Sequence, residues 1–383
     1  MTRVGGAWLR AAGTQRLFHA YAQAGFDLFA VGGCVRNDLL GQPVADVDMA
    51  SNARPDTATE FLTAAGFRVI PTGIDHGTIT VISDSTPYEI TTFRKDVETD
   101  GRRAKVRFSG DMLDDAARRD FTINALYADM NGQVHDPVGG LRDISAPHIR
   151  FIGSASDRIQ EDYLRTLRFF RFHAWYAAES EGFDAEALDA MAANLDGLEN
   201  LSRERVGAEL TKLLSAPNPT QAVMVMAQIG ILNRVLPGAD ARFLGPVLHL
   251  EAEVVEQIDP MLRLAAIATP QVAHTLRLSK AQYRAVATYH DSAFGGASPG
   301  ELGFRLGATM GSRALALRQA TLEQPIADQT MRELMGGANA VFPVTAADLS
   351  KKFKGRALGE RLKTLEAEWI ASGFSKTKAQ LLA

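Results

Sequence analysis

Phe26-Asp27-Leu28-Phe29-Ala30-Val31-Gly32-Gly33-Cys34-Val35-Arg36 is the stretch that decides the fold. Its first six residues form an apolar run that reads as a buried strand. Two glycines end that strand, and a short helix from Val35 to Leu40 follows. Backbone N–H groups at such a turn, with a helix start behind them, can hold phosphate, and Arg36 adds a fixed cation. Asp46 and Asp48 then stand one residue apart on a second short strand, where period-two geometry puts both on one face. Carboxylates this close repel, and a divalent cation between them relieves the cost. Hard oxygen ligands favour Mg²⁺, which completes its octahedron with water and substrate phosphate. Together the two features point to metal-assisted phosphoryl or nucleotidyl transfer. Each fragment alone is commonplace, as a plain turn or a surface Asp-x-Asp. A Walker loop is excluded because no Gly-Lys-Ser/Thr follows the glycines, and no EF-hand spacing follows Asp48.

The composition bounds the rest. At 383 residues the chain exceeds one typical core, so two or more domains are expected. Apolar content of 46% and charged content of 22% are ordinary for a soluble globular protein. One cysteine, Cys34, excludes a disulfide framework and any cysteine-based zinc site, and reads as a small apolar residue under the turn. No signal peptide and no apolar run of membrane-spanning length are evident, so no membrane partner and a reducing cytoplasm are expected. The net charge of −4 gives no global basic footprint for nucleic acid. From Leu349 to Ala383, however, eight Lys/Arg face three Glu, a local excess of five positive charges. A solvated helix face and a phosphate-contacting surface explain it equally well.

Up to about residue 150, short strands mix with short helices. Pro55 opens a helix that carries Ala58, Phe61, Leu62 and Ala65 inward and stops at Gly66. Strands follow at Phe67 to Ile70, Thr78 to Ile82 and Tyr88 to Phe93. The polar stretch Arg94 to Ser109 reads as a long mobile loop. A short helix leads to Arg118-Arg119-Asp120, and Thr122 to Ala128 reads as a strand. From about Ser154, helical periodicity takes over, with breaks at Pro217-Asn218-Pro219, Pro237-Gly238 and Gly295-Gly296.

Three further constellations bear on chemistry. Arg118-Arg119 running into a buried strand is expensive unless an anion faces it. A triphosphate suits the guanidinium fork, and an ion-pair network with Asp114, Asp115 and Asp120 is the structural alternative. Asp136-Pro137-Val138-Gly139-Gly140 forms a tight turn or a hinge. Ile159 to Arg171 reads as one helix in which Asp162, Arg165, Arg168 and Arg171 are spaced by three and form a charged stripe. Such a stripe is ordinarily a solvated face. Yet a carboxylate only accepts and a guanidinium only donates. Asp162 beside Arg165 therefore complements the amine-and-acceptor edge shared by cytosine and adenine, and leaves unpaired groups against uracil and guanine.

In this order, Gly32-Gly33-x-Val35-Arg36, Asp46-x-Asp48, Arg118-Arg119-Asp120, Asp136-x-x-Gly139-Gly140 and Glu161-Asp162-x-x-Arg165 resemble the class II CCA-adding enzymes, of the tRNA nucleotidyltransferase/poly(A) polymerase family. A helix-stabilising stretch from Ser202 to Glu209 matches as well. The motifs are dense from Val31 to Leu214 and weaker from Phe342 to Trp369. The resemblance implies an α+β fold, with a nucleotidyltransferase (DNA polymerase beta-like) head followed by an elongated all-α neck, body and tail. The corresponding boundaries are a helical extension over 1–24, the head over 25–150, the neck over 151–215 and the body and tail over 216–383. It implies that Asp46 and Asp48 are catalytic and hold Mg²⁺. It also implies that Gly32, Gly33, Arg36 and Arg119 hold the triphosphate, and that Asp162 and Arg165, completed by Arg168 and Arg171, select the base. The Arg94–Ser109 segment corresponds to a flexible loop used in switching from C to A addition. Implied substrates are CTP and ATP, and the implied partner is tRNA, contacted at its acceptor end and TΨC arm. Glu89 is a candidate third carboxylate, equally readable as a solvent-facing strand residue. One departure is Asn37, where the family usually has aspartate.

The rival within the family is a poly(A) polymerase, which usually adds strongly basic segments that this chain lacks. Enzymes adding only CC or only A share the motifs. A non-catalytic RNA-binding relative is expected to lose a carboxylate or the arginine pair, and all are present. An unrelated nucleotidyltransferase has no need of the helical body or of the Asp162–Arg165 stripe.

Overall fold

The computed structural model describes residues 2–100, 103–178, 182–255 and 257–383. Contacts divide it into two units, Met1–Leu201 and Ser202–Ala383. In the first unit α1 (Ala7–Arg10) and α2 (Ala12–Gln23) precede β1 (Leu28–Val31), α3 (Gly33–Leu39), β2 (Asp48–Ser51) and α4 (Pro55–Ala64). Strands β3 (Arg68–Gly73), β4 (Thr78–Ser83) and β5 (Thr86–Thr92) form a meander. After them come β6 (Arg94–Asp100), β7 (Arg103–Phe108), α5 (Met112–Ala117), β8 (Tyr127–Ala128), β9 (Val134–His135) and α6 (Gly140–Ser145). Helices α7 (Ala155–Glu161), α8 (Leu164–Tyr176) and α9 (Ala185–Ala193) complete the unit.

The main sheet has the order β3-β4-β5-β2-β1-β8-β9. Its β2–β5 pair is parallel, with Asp48 opposite Glu89, and the other neighbours are antiparallel. Both faces are covered, as the apolar runs of β1 and β2 require. On one, Leu17, Tyr21, Val35, Leu62, Ile79 and Ile90 form a core with α2, α3 and α4. On the other, Val31, Ala50, Phe93, Ala116 and Tyr127 pack together. Each large apolar side chain buried in this way contributes about 1.5–3 kcal/mol, so the strand carrying the Gly32 turn is fixed from above and below.

Three sequence expectations are corrected here. Arg94 to Ser109 is not a long loop: β6 and β7 pair antiparallel from Arg94↔Phe108 to Asp100↔Arg103, forming a separate two-stranded ribbon. Backbone pairing satisfies a polar stretch that has no core-facing pattern of its own. Thr122–Ala128 is not a continuous strand either. Thr122–Asn124 is a 3-10 turn and only Tyr127–Ala128 is extended; the Thr122 carbonyl packs against Gly140, where a Cβ would stand 2.2 Å away. Finally, Ile159–Arg171 is two helices. Asp162 (φ −156°, ψ 104°) ends α7, and its Oδ1 accepts the Leu164 N–H at 3.1 Å, starting α8 in the manner of a capping residue. Tyr163, beside the break, lies against Gly197, where a Cβ would come within 1.8 Å of its ring.

Asp136 accepts the N–H groups of Gly140 and Leu141 at 2.7 and 2.9 Å, so the Asp136–Gly140 turn is the built start of α6. Asp38 accepts from the N–H groups of Gly5 and Gly6 and from the Trp8 indole at 2.9–3.2 Å, fastening the N-terminal segment to α3.

The second unit is helical. Ser202 caps α10 (Arg203–Leu214) through the Arg205 N–H. Then come α11 (Thr220–Gln228), α12 (Ile231–Val235), α13 (Leu244–Val254), α14 (Pro260–Ile267) and further helices to Lys378–Leu382. The Pro217–Pro219, Pro237–Gly238 and Gly295–Gly296 breaks all fall between helices. Arg263, buried on α14, pairs with Glu251 at 2.8 Å and donates to the carbonyls of Leu214 and Ala216 at the end of α10.

Candidate active site

The glycine turn brings three elements together. Gly32 has φ +73°, a conformation open to glycine and costly for other residues. Its N–H donates to the Leu126 carbonyl at 3.0 Å, and its carbonyl accepts the Arg36 N–H at 2.9 Å, closing the first turn of α3. A Cβ on Gly32 would lie 3.4 Å from the Asn124 carbonyl oxygen and 3.6 Å from the Arg119 guanidinium. Gly33 is as close to Arg36, with the corresponding distance 3.8 Å. Gly32, Gly33, Arg36 and Arg119 therefore share one corner of the sheet.

Arg36 is only 6% exposed. It donates to the side-chain oxygens of Asn124 and of Asn37 (3.1 and 2.8 Å) and to the Tyr176 hydroxyl (2.8 Å). Its guanidinium lies 4.2 Å from the Tyr176 ring centre and 5.2 Å from that of Phe172. Burial lowers its pKa, with Tyr176 opposing. Asn37, the departure from the family pattern, is thus an acceptor for Arg36, and its amide also donates to the Pro43 carbonyl at 2.9 Å. Sequence separations of 88 and 140 residues hide Asn124 and Tyr176 from a reading by motif.

Asp48 opens β2, whereas Asp46 lies in the connection before it, so the shared-strand expectation is corrected. The β1–β2 ladder reaches only to Ala30↔Met49, leaving Asp46 outside it. Both carboxylates are exposed, as is Glu89 across the β2–β5 pair. Partial loss of water raises the Asp48 pKa, followed by repulsion from Glu89 and Asp46, with Arg119 opposing. Beneath them Cys34 is buried, and loss of water and the nearby Asp48 push its thiol up to about 12.

Arg118 and Arg119 share Asp115. Arg118 reaches Oδ1 at 2.7 and 2.9 Å, and Arg119 reaches Oδ2 at 3.0 and 3.2 Å. The Tyr127 hydroxyl donates to the same Oδ2 at 2.8 Å. Burial alone raises the Asp115 pKa, but the two guanidiniums and Tyr127 outweigh it and hold the carboxyl below its ordinary range. Asp114 pairs instead with Lys95 at 3.4 Å and with Ser109. Asp120, buried, accepts from Arg168 Nε at 2.7 Å and from the Asn124 amide at 2.9 Å. The ion-pair alternative therefore accounts for part of the arginine pair, while Arg119 still borders Gly32.

Asp162 sits in the break between helices and Arg165 on the first turn of α8. Arg165 pairs with Glu161 at 2.6 Å and donates to the carbonyls of Arg158 and Arg118, each at 3.1 Å. These contacts set the angle of its guanidinium beside Arg118. Arg168 and Arg171 flank Phe172, at 5.3 and 4.2 Å from its ring centre. Phe172 belongs to an aromatic cluster in which Phe121 lies 4.9 Å from Phe151 and 5.2 Å from Phe172. That cluster fastens α8 to the Asp120 turn.

Among the described residues no group of three or more His, Cys, Asp or Glu side chains is arranged to hold a metal. Asp46 and Asp48 supply two hard oxygen donors in a patch whose mutual repulsion a dication would relieve. That suits an ion which takes its remaining ligands from water and phosphate.

Comparison with known proteins gives the family. Residues 28–150 match the model of the Poly A polymerase head domain. Residues 182–243 match that of a probable RNA and SrmB-binding site of polymerase A. The mitochondrial CCA tRNA nucleotidyltransferase 1 of Mus musculus is 32% identical over 388 residues, covering 97% of this chain and 89% of that protein. Its Danio rerio counterpart is 42% identical over 54% of this chain. A CCA-adding enzyme of Streptococcus pyogenes is 42% identical over 53% of this chain. The matched region spans only about half of those last two proteins, 48% and 50%. The Bacillus stearothermophilus CCA-adding enzyme solved with CTP superposes with a TM-score of 0.72 at 24% identity, over 94% of this chain and 92% of that one. The Thermotoga maritima enzyme with tRNA gives 0.66 at 17% identity, over 95% and 94%. Matched along nearly its whole length by the mouse protein and carrying the same head fold, the chain belongs to the class II CCA-adding enzymes of the tRNA nucleotidyltransferase/poly(A) polymerase family.

Proposed function

We propose that this protein adds the 3′-terminal CCA sequence to tRNA from CTP and ATP, releasing pyrophosphate. The observation that carries the reading is the corner at Gly32, where the turn lies beside Arg36 and Arg119, and where the Arg119 charge acts on Asp48, which in turn feels Asp46. Gly32 and Gly33 let the triphosphate approach the backbone, and Arg36 and Arg119 supply fixed positive charge to it. Asp46 and Asp48 would hold Mg²⁺. When bound there, the ion supplies a lowered pKa for the attacking 3′-hydroxyl and neutralisation of charge on the leaving pyrophosphate. Glu89, level with Asp48 across the parallel pair, adds to the negative charge of this patch.

Asp162 and Arg165 read the base edge, with Arg168 and Arg171 completing the pocket. Support comes from the anchoring of Arg165 by Glu161 and two carbonyls. A guanidinium held at one angle discriminates between bases better than a mobile one. The helical second unit, including the basic stretch from Lys351 to Lys378, contacts the acceptor–TΨC arm through phosphates and shape. Domain boundaries at 24, 150 and 215 describe extension, head, neck, and body with tail. Among the described residues no helix is long and apolar enough to cross a membrane. A single buried thiol suits a reducing compartment, and we place the protein in the cytoplasm, although the vertebrate relatives are named as mitochondrial.

The test offers tRNA lacking its 3′ end each nucleoside triphosphate separately and together. Addition of two C and one A followed by arrest is expected. An unlimited A tail on any RNA would overturn the reading in favour of a poly(A) polymerase. Arrest after two C, or addition of A alone, would reduce it to a partial activity.

A further inference from the structure

Arg36 is a buried cation whose hydrogen-bond acceptors, among the described residues, are all neutral: the amide oxygens of Asn37 and Asn124 and the Tyr176 hydroxyl. A buried charge normally has a counter-charge in contact with it, because desolvation is otherwise uncompensated. Here neutral dipoles make the direct contacts, and the carboxylate that acts on Arg36, Asp120, does so through the Asn124 amide, whose N–H it accepts, rather than by touching the guanidinium beside Gly33. Tyr176 holds the guanidinium in two ways. Its oxygen accepts from Arg36 while its O–H donates to Asn37 at 3.3 Å. Its ring also faces the guanidinium at 4.2 Å, a favourable cation–π distance. An acidic residue at this position would hold Arg36 equally well and cancel the charge.

Tyr176 is the last residue of α8, the helix that begins beside Asp162 and carries Arg165, Arg168 and Arg171. None of the motifs that mark the family includes it. We propose that Tyr176 is a positioning residue for the polyphosphate of the incoming nucleotide, acting through Arg36 and tying the phosphate corner to the far end of the base-reading helix. It touches no reacting atom. Its effect is to hold a guanidinium that, among the described residues, bonds to no carboxylate directly, where a phosphate can complete its set of partners.

The inference rests on the phosphate-binding role proposed for the Gly32 turn, so the experiment separates the two. Full-length Tyr176→Leu, Tyr176→Phe and Arg36→Gln are compared with the parent for KM of CTP and ATP, KM of tRNA, kcat, inhibition by inorganic pyrophosphate, and melting temperature. Tyr176→Leu is expected to raise the KM of both nucleotides and the pyrophosphate inhibition constant about fivefold to tenfold, the scale of one charge-assisted hydrogen bond with a cation–π contact. kcat and the KM of tRNA should stay within about twofold of the parent. Tyr176→Phe, which keeps the ring, should fall between, and it decides the matter if the leucine variant fails to fold. Unchanged nucleotide KM and pyrophosphate inhibition in the tyrosine variants, with Arg36→Gln impaired in both, would overturn the role of Tyr176 alone. No effect in Arg36→Gln would overturn the phosphate reading of the turn itself. A fall confined to melting temperature would make Tyr176 merely structural.

Discussion

Asp115 serves Arg118, Arg119 and the Tyr127 hydroxyl at once. If Arg119 turns to a phosphate, Asp115 keeps two partners and is not left as an uncompensated buried charge, so the exchange costs little. Asp46 and Asp48 have no such insurance, being exposed and mutually repelling. Asp48→Asn should lower nucleotide incorporation by about 10³-fold or more, roughly 4 kcal/mol of transition-state stabilisation, and leave tRNA binding within about twofold. Steady-state incorporation beside a filter-binding titration checks this, and retained turnover would remove Asp48 from the metal site. His173 offers a different test. It is buried on α8, stacked 3.7 Å from Phe183, with no partner for Nε2 among the described residues. Burial lowers its pKa from 6.5 to about 4. The unfolded chain therefore binds this proton more readily than the folded one. Its contribution to stability is complete above pH 6.5 and is lost progressively as the pH falls towards 4. Urea midpoints of the parent should drop over that window and those of His173→Gln should drop less; parallel curves would refute the assignment.

The break between α7 and α8 positions Asp162, and it rests on Gly197, which leaves room for Tyr163. Gly197→Ala should force that ring to swing, costing about 1–3 kcal/mol and weakening rejection of UTP and GTP. A variant that melts with the parent and still rejects both would disconnect the break from base selection. This element also shows where sequence reading stops. Ile159 to Arg171 is compatible with helix throughout, and nothing local announces the interruption. It comes from tertiary partners: Gly197 under Tyr163, and the Arg118 carbonyl on Arg165. The ribbon from Arg94 to Phe108 escaped notice for a related reason, because its strands pair with each other apart from the main sheet. By contrast, the Gly32–Gly33 turn, the helix opened by Pro55 and the β4 alternation were legible, since turn chemistry and period-two patterning are local. Arg36 could be picked out from its motif. Its partners Asn124 and Tyr176 could not, because only the folded sheet and α8 bring them there.

At the scale of the molecule, each unit carries a buried ion pair that joins its elements, Asp115 with Arg118 and Arg119 in the first and Arg263 with Glu251 in the second. In the second, Arg263 is 3% exposed, and its bonds to Glu251 and to the end of α10 hold three helices of that unit together. Arg263→Ala leaves Glu251 buried without its partner and should cost about 3–5 kcal/mol. Denaturant unfolding should show the loss in the second unit, while CTP titration of the first unit is little changed. Equal loss of both would mean that they unfold together. The first unit has no comparable weak point in its single thiol. Cys34 is buried under the glycine turn with its proton held to about pH 12, so near neutrality almost none of it is thiolate, the form that reacts. Maleimide reagents should therefore pass over the native chain. Cysteines introduced at exposed Glu60 on α4 and at Arg356, which is 94% exposed in the other unit, would then be the only labelled positions. A dye pair placed there turns the protein into its own ruler, reporting the distance between the two units before and after tRNA is added, with no cysteine removed from beneath the phosphate corner.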